Sequence, residues 1–173
     1  MADEALLENQ VTYLYHASAK ELCNLALYSI GDQSLAEQLA IDAFVTAYDR
    51  LPDKSDVMQF KIKSARYLYL ISKKTFISHN WHIAPGPVPL ESIEPANDTG
   101  KSRIQQLLCG LNYDERFLLL LFLQQKFSQK QIARILYIPE FMVKKRIYKM
   151  LKKAMNLGAT LTEYENMGKR SER

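Results

Sequence analysis

The chain has 173 residues, which is enough for one ordinary domain or two small ones. Hydrophobic residues make up 47% of it, a share that permits a packed core and argues against disorder. The net charge is only +4, but residues 1–58 are mainly acidic, whereas residues 60–76 contain five cations and no acid. This uneven distribution favours one surface for a protein partner and others for nucleic acid.

Two features argue against a secreted or membrane protein. Asp3, Glu4 and Glu8 stand where a secretory signal would carry basic residues. The apolar run at residues 117–123 is far too short to cross a bilayer. We therefore expect a cytoplasmic protein with no membrane insertion.

The side chains that catalysis needs are scarce. Only three histidines are present, no pair of carboxylates indicates a shared site, and no glycine-rich phosphate loop occurs. Cys23 and Cys109 lie in apolar helical patterns without metal-ligand spacing, which predicts buried thiols in a reducing compartment. We expect neither an enzyme nor a bound metal, cofactor or small-molecule substrate.

Three helical segments are predicted in the first half of the chain. Apolar residues three and four positions apart indicate one or two helices over residues 5–30. Ser34 with Glu37 three residues later has the spacing of a capping box and predicts the start of the next helix. A third helix is predicted over residues 55–78.

The third predicted helix interleaves cations with aromatic residues. Cations can follow a nucleic-acid backbone while aromatic rings stack on bases that have left the duplex. The alternative is that the rings pack in the core, which is their commoner position at helical spacing. We favour core packing for Tyr69 and a surface position for Tyr67.

Residues 80–102 contain four prolines and two glycines, which preclude a regular helix and predict a linker. His82 beside Trp81 is interpreted as a packing contact rather than a metal ligand. The linker divides the chain into an N-terminal domain, residues 1–79, and a C-terminal domain, residues 103–155. A polar tail follows at residues 156–173, and the absence of strand-like alternation predicts an all-α fold.

The C-terminal domain is predicted to begin with two helices, at residues 104–109 and 117–123, the second capped by Asn112 or Asp114. Residues 127–153 then predict a helix-turn-helix. Ser128 is a suitable N-cap for its first helix, and Pro139 suits the first position of the second.

The second helix of this motif is strongly basic. Nine cations between residues 126 and 153 face a single acid, Glu140, which is the charge pattern of a phosphate-binding surface. Such a helix could enter a DNA major groove as the recognition helix. The alternative is an ordinary helical hairpin whose basic face is simply solvated.

Two helical domains, a proline-rich linker and a terminal helix-turn-helix resemble the layout of bacterial RNA polymerase sigma factors of the extracytoplasmic-function type. The resemblance covers residues 13–153. The family's C-terminal pattern runs Leu-Pro-x-x-x-Arg, Ser/Thr-x-x-Glu-Ile-Ala-x-x-Leu-Gly-Ile and Val-Lys-Ser-Arg-Leu. The similar residues in this chain are Leu111, Arg116, Ser128, Ile132, Ala133, Leu136, Ile138, Val143, Lys144, Arg146 and Ile147. Departures occur at Asn112, Gln131 and Tyr137, where the family has Pro, Glu and the turn Gly.

The N-terminal half also resembles the family. Residues 36–44 are similar to Ala-Glu-Asp-Leu-Val-Gln-Asp-x-Phe, with Gln38 and Ile41 as departures. Residues 60–67 are similar to Trp-Leu-x-x-Ile-Ala-Arg-Asn, with Tyr67 in the place of Asn.

The resemblance implies three binding surfaces. The one for the polymerase core would contain Glu37, Gln38, Ile41 and Asp42. The one for the promoter's minus-ten element would contain Phe60, Lys61, Lys63, Arg66, Tyr67, Lys73 and Lys74. The recognition helix for the minus-thirty-five element would present Phe141, Lys144, Lys145, Arg146 and Lys149.

The expected function is therefore that of a sigma factor, which binds bacterial core RNA polymerase and directs promoter recognition and transcription initiation. The expected fold is a sigma region 2-like helical bundle and a region 4-like helix-turn-helix domain. The expected partners are core polymerase, promoter DNA and, from the family, an anti-sigma factor. Two alternatives remain open: a sigma-like accessory protein that acts through polymerase contacts, and a conventional helix-turn-helix regulator.

Overall fold

The computed structural model describes residues 2–78 and 111–156. Within them the chain forms helices and no strand, so the all-α prediction is confirmed for this part. The helices are α1 (Ala2–Ile30), α2 (Gln33–Arg50), α3 (Val57–Ser78), α4 (Tyr113–Leu123), α5 (Gln129–Leu136) and α6 (Glu140–Asn156). The predictions made for the linker with Trp81 and His82, for helix 104–109 with Cys109, and for the tail beyond residue 156 lie outside the described residues.

Where one or two helices were predicted over residues 5–30, the structure has the single helix α1. It ends at Ile30, and Gly31 follows with a φ of 80°, a left-handed conformation that glycine adopts without steric cost. The prediction that Ser34 caps α2 is wrong. Asp32 is the N-cap, because its backbone is extended and its carboxylate accepts a hydrogen bond from the Leu35 amide at 2.8 Å.

The caps of the C-terminal helices follow local sequence chemistry. Asn112 caps α4 and Ser128 caps α5, and each forms a reciprocal capping box with the side chain three residues later. Pro139 immediately precedes α6, and its carbonyl accepts hydrogen bonds from the amides of Met142 and Val143. Pro139 therefore starts the helix from just outside it rather than from its first position.

One apolar core runs through both halves of the described chain. Leu25 of α1 and Leu68 of α3 belong to the same buried cluster as Phe117, Ile132 and Val143 from the C-terminal helices. Helix α3 packs on α4 and α5, and α1 packs on α4. The C-terminal helices thus lie directly on α1 and α3.

In the part of the chain that the structure describes, no helix combines the length and the apolar character needed to cross a membrane.

Candidate nucleic-acid interface

Helix α6 has a buried face and a basic exposed face. Val143, Ile147 and Met150 are buried and attach the helix to the core. On the opposite side we define the α6 face as Phe141, Lys144, Lys145, Tyr148 and Lys149. Its two aromatic side chains are 70% and 71% exposed, and its three lysines are exposed. Residues three and four positions apart share a side of a helix, so these groups form one continuous surface.

Four of the five residues predicted for the recognition helix are exposed, and the prediction of DNA contact by them stays a prediction. Phe141, Lys144, Lys145 and Lys149 are exposed on one face, whereas Arg146 is half-buried toward its edge. Tyr148 shares this exposed face but is not among the predicted residues. Its place on this face follows from the sequence, because it lies one helical turn beyond Lys144 and two turns beyond Phe141.

An open groove of about 440 Å³ runs beside the α6 face. Its lining includes Phe141, Lys144 and Tyr148 of α6 together with Gln129 from the first turn of α5. The groove therefore brings an amide side chain from the first helix of the motif next to cations and rings from the second. Such a combination can contact both phosphates and base edges.

The turn between α5 and α6 depends on a left-handed residue. Tyr137 ends α5 at φ 55° and ψ 46°, and the Ile138 amide reaches back to the Ala133 carbonyl at 3.1 Å. A residue with a side chain costs roughly 1–2 kcal/mol in this conformation. The Tyr137 ring is 82% exposed, and the Arg66 guanidinium from α3 lies 4.8 Å from its centre.

A separate exposed face lies on α2. All four residues predicted to bind the polymerase core are exposed there: Glu37, Gln38, Ile41 and Asp42. Ile41 is 61% exposed, and Val45, one turn later and 51% exposed, extends the apolar part of the surface. We call Glu37, Gln38, Ile41, Asp42 and Val45 the α2 face. An apolar centre with polar and acidic groups around it is suited to a protein partner.

The α3 residues predicted to bind the minus-ten element are less accessible. Phe60 is 0% exposed and packs edge-to-face on Phe44 at 4.9 Å, in a small cluster with Leu14 and Ala47. The structure therefore makes Phe60 a core residue and not part of a DNA-contacting surface. Burial of its large ring stabilises the fold more than an exposed position could.

Three of the α3 cations have partners within the protein. The Lys61 ammonium lies 2.7 Å from the Glu21 carboxylate, and Lys73 lies 2.8 Å from Asp114. Arg66 donates to the Arg134 carbonyl at 3.1 Å. The remaining members of the predicted set are half-buried or exposed: Lys63 and Tyr67 are half-buried, and Lys74 is exposed.

Tyr69 joins this polar network from within the packed surface. Its hydroxyl donates to Asp114 at 2.8 Å, and its ring lies 5.2 Å from that of Phe117. The prediction of core packing for Tyr69 is confirmed. Partial burial raises its pKa, and a hydrogen bond from Lys73 opposes that effect.

Lys73 and Tyr113 also have shifted pKa values. Partial burial lowers the pKa of Lys73, but the hydrogen bond to Asp114 and the one to Tyr69 reverse the direction, and the net pKa is raised. Burial raises the pKa of Tyr113 far above its usual range, although a hydrogen bond with Ser72 opposes that shift.

Among the described residues, no group of three or more His, Cys, Asp or Glu side chains is arranged to hold a metal ion. Cys23 is a half-buried free thiol. Burial raises the pKa of this thiol, and the negative charge of Glu37 raises it further.

No protein-family model and no curated protein sequence matches the chain.

Proposed function

We propose that this chain is a sigma-like transcription initiation factor that binds core RNA polymerase and recognises promoter DNA. One observation carries the proposal: a basic helix-turn-helix face on α6 and a separate apolar-acidic face on α2 are exposed on the same small chain. A factor that brings a polymerase to a DNA site needs two such surfaces, one for each partner.

The α6 face supports DNA binding through its charge and its shape. Lys144, Lys145 and Lys149 are exposed and can replace the counterions of successive phosphates. Phe141 and Tyr148 add apolar surface that can contact a thymine methyl group in the major groove. Contacts of the first kind supply affinity, and contacts of the second kind supply sequence preference.

The α2 face supports polymerase binding. Ile41 and Val45 expose apolar surface that water disfavours, and Asp42 and Glu37 lie beside them. Burial of the two aliphatic side chains would supply binding energy, and the carboxylates would select a basic partner surface. The resemblance of residues 36–44 to the core-binding helix of sigma factors agrees with this role.

The α3 contacts favour a second candidate, a helix-turn-helix regulator that binds duplex DNA through α6 alone. Lys61, Arg66 and Lys73 are engaged within the protein and are thus less available to DNA than the α6 lysines. This candidate predicts sequence-specific binding without polymerase. A sigma-like accessory protein would instead bind polymerase and direct no initiation.

The test is co-purification of bacterial core RNA polymerase with the full chain, followed by run-off transcription on a promoter library. Association together with new start sites supports the sigma-like role, and Asp42→Arg should abolish both. Association without transcripts indicates the accessory role. Duplex binding by the chain without any polymerase association would overturn the proposal in favour of the regulator.

A further inference from the structure

Glu140 is an acid on a strongly basic surface. It is the first residue of α6, it is exposed, and it lies one helical turn before Lys144 of the α6 face. Between residues 126 and 153 it is the only acid, and nine cations surround it in the sequence. The charge of Glu140 is therefore opposite to that of the surface on which it lies.

The lysines of this surface do not pair with Glu140. Among the described residues, none forms an ion pair or a hydrogen bond with its side chain. Two other acids of the chain are paired: Glu21 lies 2.7 Å from Lys61. Asp114 lies 2.8 Å from Lys73. The Glu140 carboxylate, by contrast, is available to a ligand.

A carboxylate at this position weakens binding to the DNA backbone. Lys144, Lys145 and Lys149 attract phosphates whatever the base sequence, whereas Glu140 repels them. An acid on a DNA-binding surface gains from DNA only where a hydrogen-bond donor of a base lies opposite it. Where no donor does, its charge disfavours the site, so its effect is to select between sequences.

The bases differ in what they offer to a carboxylate in the major groove. Guanine presents two acceptors there, and thymine presents an acceptor and a methyl group. Adenine has an amino group, but its N7 acceptor lies beside it and would repel a carboxylate. Cytosine presents the N4 amino group, which is a donor. A side chain that only accepts hydrogen bonds, as Glu140 does, therefore matches cytosine.

The position of Glu140 in α6 is suited to contact with a base. In a helix-turn-helix, the N-terminal residues of the recognition helix reach the base edges. Glu140 and Phe141 begin this turn of α6. The Pro139 carbonyl accepts hydrogen bonds from the amides of Met142 and Val143 at 2.9 and 3.3 Å. These bonds hold the backbone of the first turn, so the two side chains project from a fixed frame.

A purely structural role is the alternative. An acid in the first turn of a helix interacts favourably with the helix dipole. That interaction would stabilise α6 but would leave its preference among DNA sequences unchanged. The two roles therefore differ in a measurable property, the dependence of affinity on the base sequence.

We propose that Glu140 determines sequence specificity, with its carboxylate accepting a hydrogen bond from the N4 amino group of a cytosine in the major groove. The inference rests on the part of the proposed function that assigns DNA recognition to α6. It applies whether the chain binds DNA alone or together with polymerase. It adds one C·G pair, read by an acid, to a surface whose lysines can donate to guanine.

The test selects bound sequences from a duplex library with a randomised stretch, using the full-length chain with and without bacterial core RNA polymerase. The wild type should favour cytosine at one position by about five- to tenfold over each other base. Glu140→Ala should lose the preference at that position and keep those at the others. Glu140→Gln should shift it towards adenine, because the glutamine amide pairs with adenine N6 and N7.

An affinity ratio separates base recognition from charge. Anisotropy compares the selected duplex with one in which T·A replaces this C·G pair, under the condition that gave the motif. Asp49→Ala is the matched control, because it makes the same charge change at an exposed position of α2. It should keep the wild-type ratio of the two affinities, whereas the ratio should fall to about one in Glu140→Ala.

An unchanged ratio in Glu140→Ala, together with a lower Tm, would overturn the inference and leave Glu140 the structural role. Circular dichroism of each variant shows whether the helices are intact.

The two proposals can fail separately. A cytosine preference that depends on Glu140, shown by the chain without any polymerase association, would support the inference and refute the sigma-like role. Polymerase-dependent initiation with the same selected motif for the wild type and Glu140→Ala would support the sigma-like role and refute the inference. If neither condition enriches any sequence, both are refuted.

Discussion

Arg66 on α3 stacks on Tyr137 at the turn of the helix-turn-helix, with the guanidinium carbon 4.8 Å from the ring centre. The two residues are far apart along the chain, and the contact joins the N-terminal helices to the turn that orients α6. Tyr137 holds a left-handed backbone conformation that a glycine would adopt at lower cost. The ring contact and the backbone conformation at this position therefore have opposite effects on stability.

Glycine and alanine at position 137 should separate these two effects. Both substitutions remove the ring, but only glycine is free of the left-handed penalty, so Tyr137→Gly should be more stable than Tyr137→Ala by about 1 kcal/mol. Urea unfolding measures the difference. At Lys149, an exposed helical position in α6, the order should reverse, with alanine the more stable. The same order at both positions would contradict the role assigned to the turn.

Charge reversal on the α6 face should weaken DNA binding. Lys144→Glu with Lys145→Glu should lower the affinity for duplex promoter DNA and reduce the slope of log K against log salt by about 0.9 for each phosphate that the variant no longer neutralises. A salt titration by fluorescence anisotropy measures both. Association with core polymerase should stay unchanged, because the lysines lie on a different helix from the α2 face. An unchanged salt slope would show that these lysines do not contact phosphates.

Asp42→Arg should have the reciprocal effect. It introduces a cation beside Ile41 on the α2 face, so polymerase association should fall while duplex binding through α6 is retained. A pull-down and an anisotropy titration on the same preparation test the two activities, and the Lys144/Lys145 variant serves as its control. Loss of both activities in both variants would contradict the assignment of two separate surfaces.

Alkaline pH should destabilise the protein through Tyr113. Burial raises the pKa of this phenol in the folded state, so the folded protein binds the proton more tightly than the unfolded chain does. The corresponding stability is fully present below the unfolded pKa of about 10 and is lost as the pH rises above it, at up to about 1.4 kcal/mol for each pH unit. Tyr69 and Lys73 also have raised pKa values and act in the same direction.

Tm values between pH 9 and pH 11 test this prediction. Tyr113→Phe should show a smaller fall in Tm than the wild type. Tyr13→Phe, at a side chain that is 60% exposed, should fall as the wild type does. Parallel curves for Tyr113→Phe and the wild type would refute the role of this phenol.

The shared core should make the described helices unfold together. Phe117 is fully buried, and its ring lies 5.2 Å from that of Tyr69 on α3. Phe117→Ala should cost about 3–5 kcal/mol of unfolding free energy. All described helices should still unfold in one transition, at a lower midpoint urea concentration. Circular dichroism and tyrosine fluorescence followed along one urea titration should coincide. A separate early transition would show that the C-terminal helices unfold independently.

Much of the local structure follows from neighbouring residues. Ser128 and Asn112 cap helices as their side-chain chemistry predicts, because a cap needs only an acceptor and the amides of the next turn. The exposure of the α6 lysines is also predictable from nearby residues, because helical periodicity separates a polar side of the helix from an apolar one. Even so, the cap of α2 is Asp32 and not Ser34. Both side chains can accept a hydrogen bond, but Asp32 has the extended backbone of an N-cap, whereas Ser34 already lies within the helix.

Helical periodicity and charge in the sequence predict the described helices and the basic face of the helix-turn-helix, because each depends on contacts within a few turns. Which of the α3 residues are accessible to a partner depends on packing between helices and is seen in the three-dimensional structure alone. Phe60 is buried by α1 and α2, and Lys73 pairs with Asp114 across 41 positions. Periodicity identifies which side of a helix is covered, but not which element covers it, since the partner is selected by packing between residues far apart in the chain.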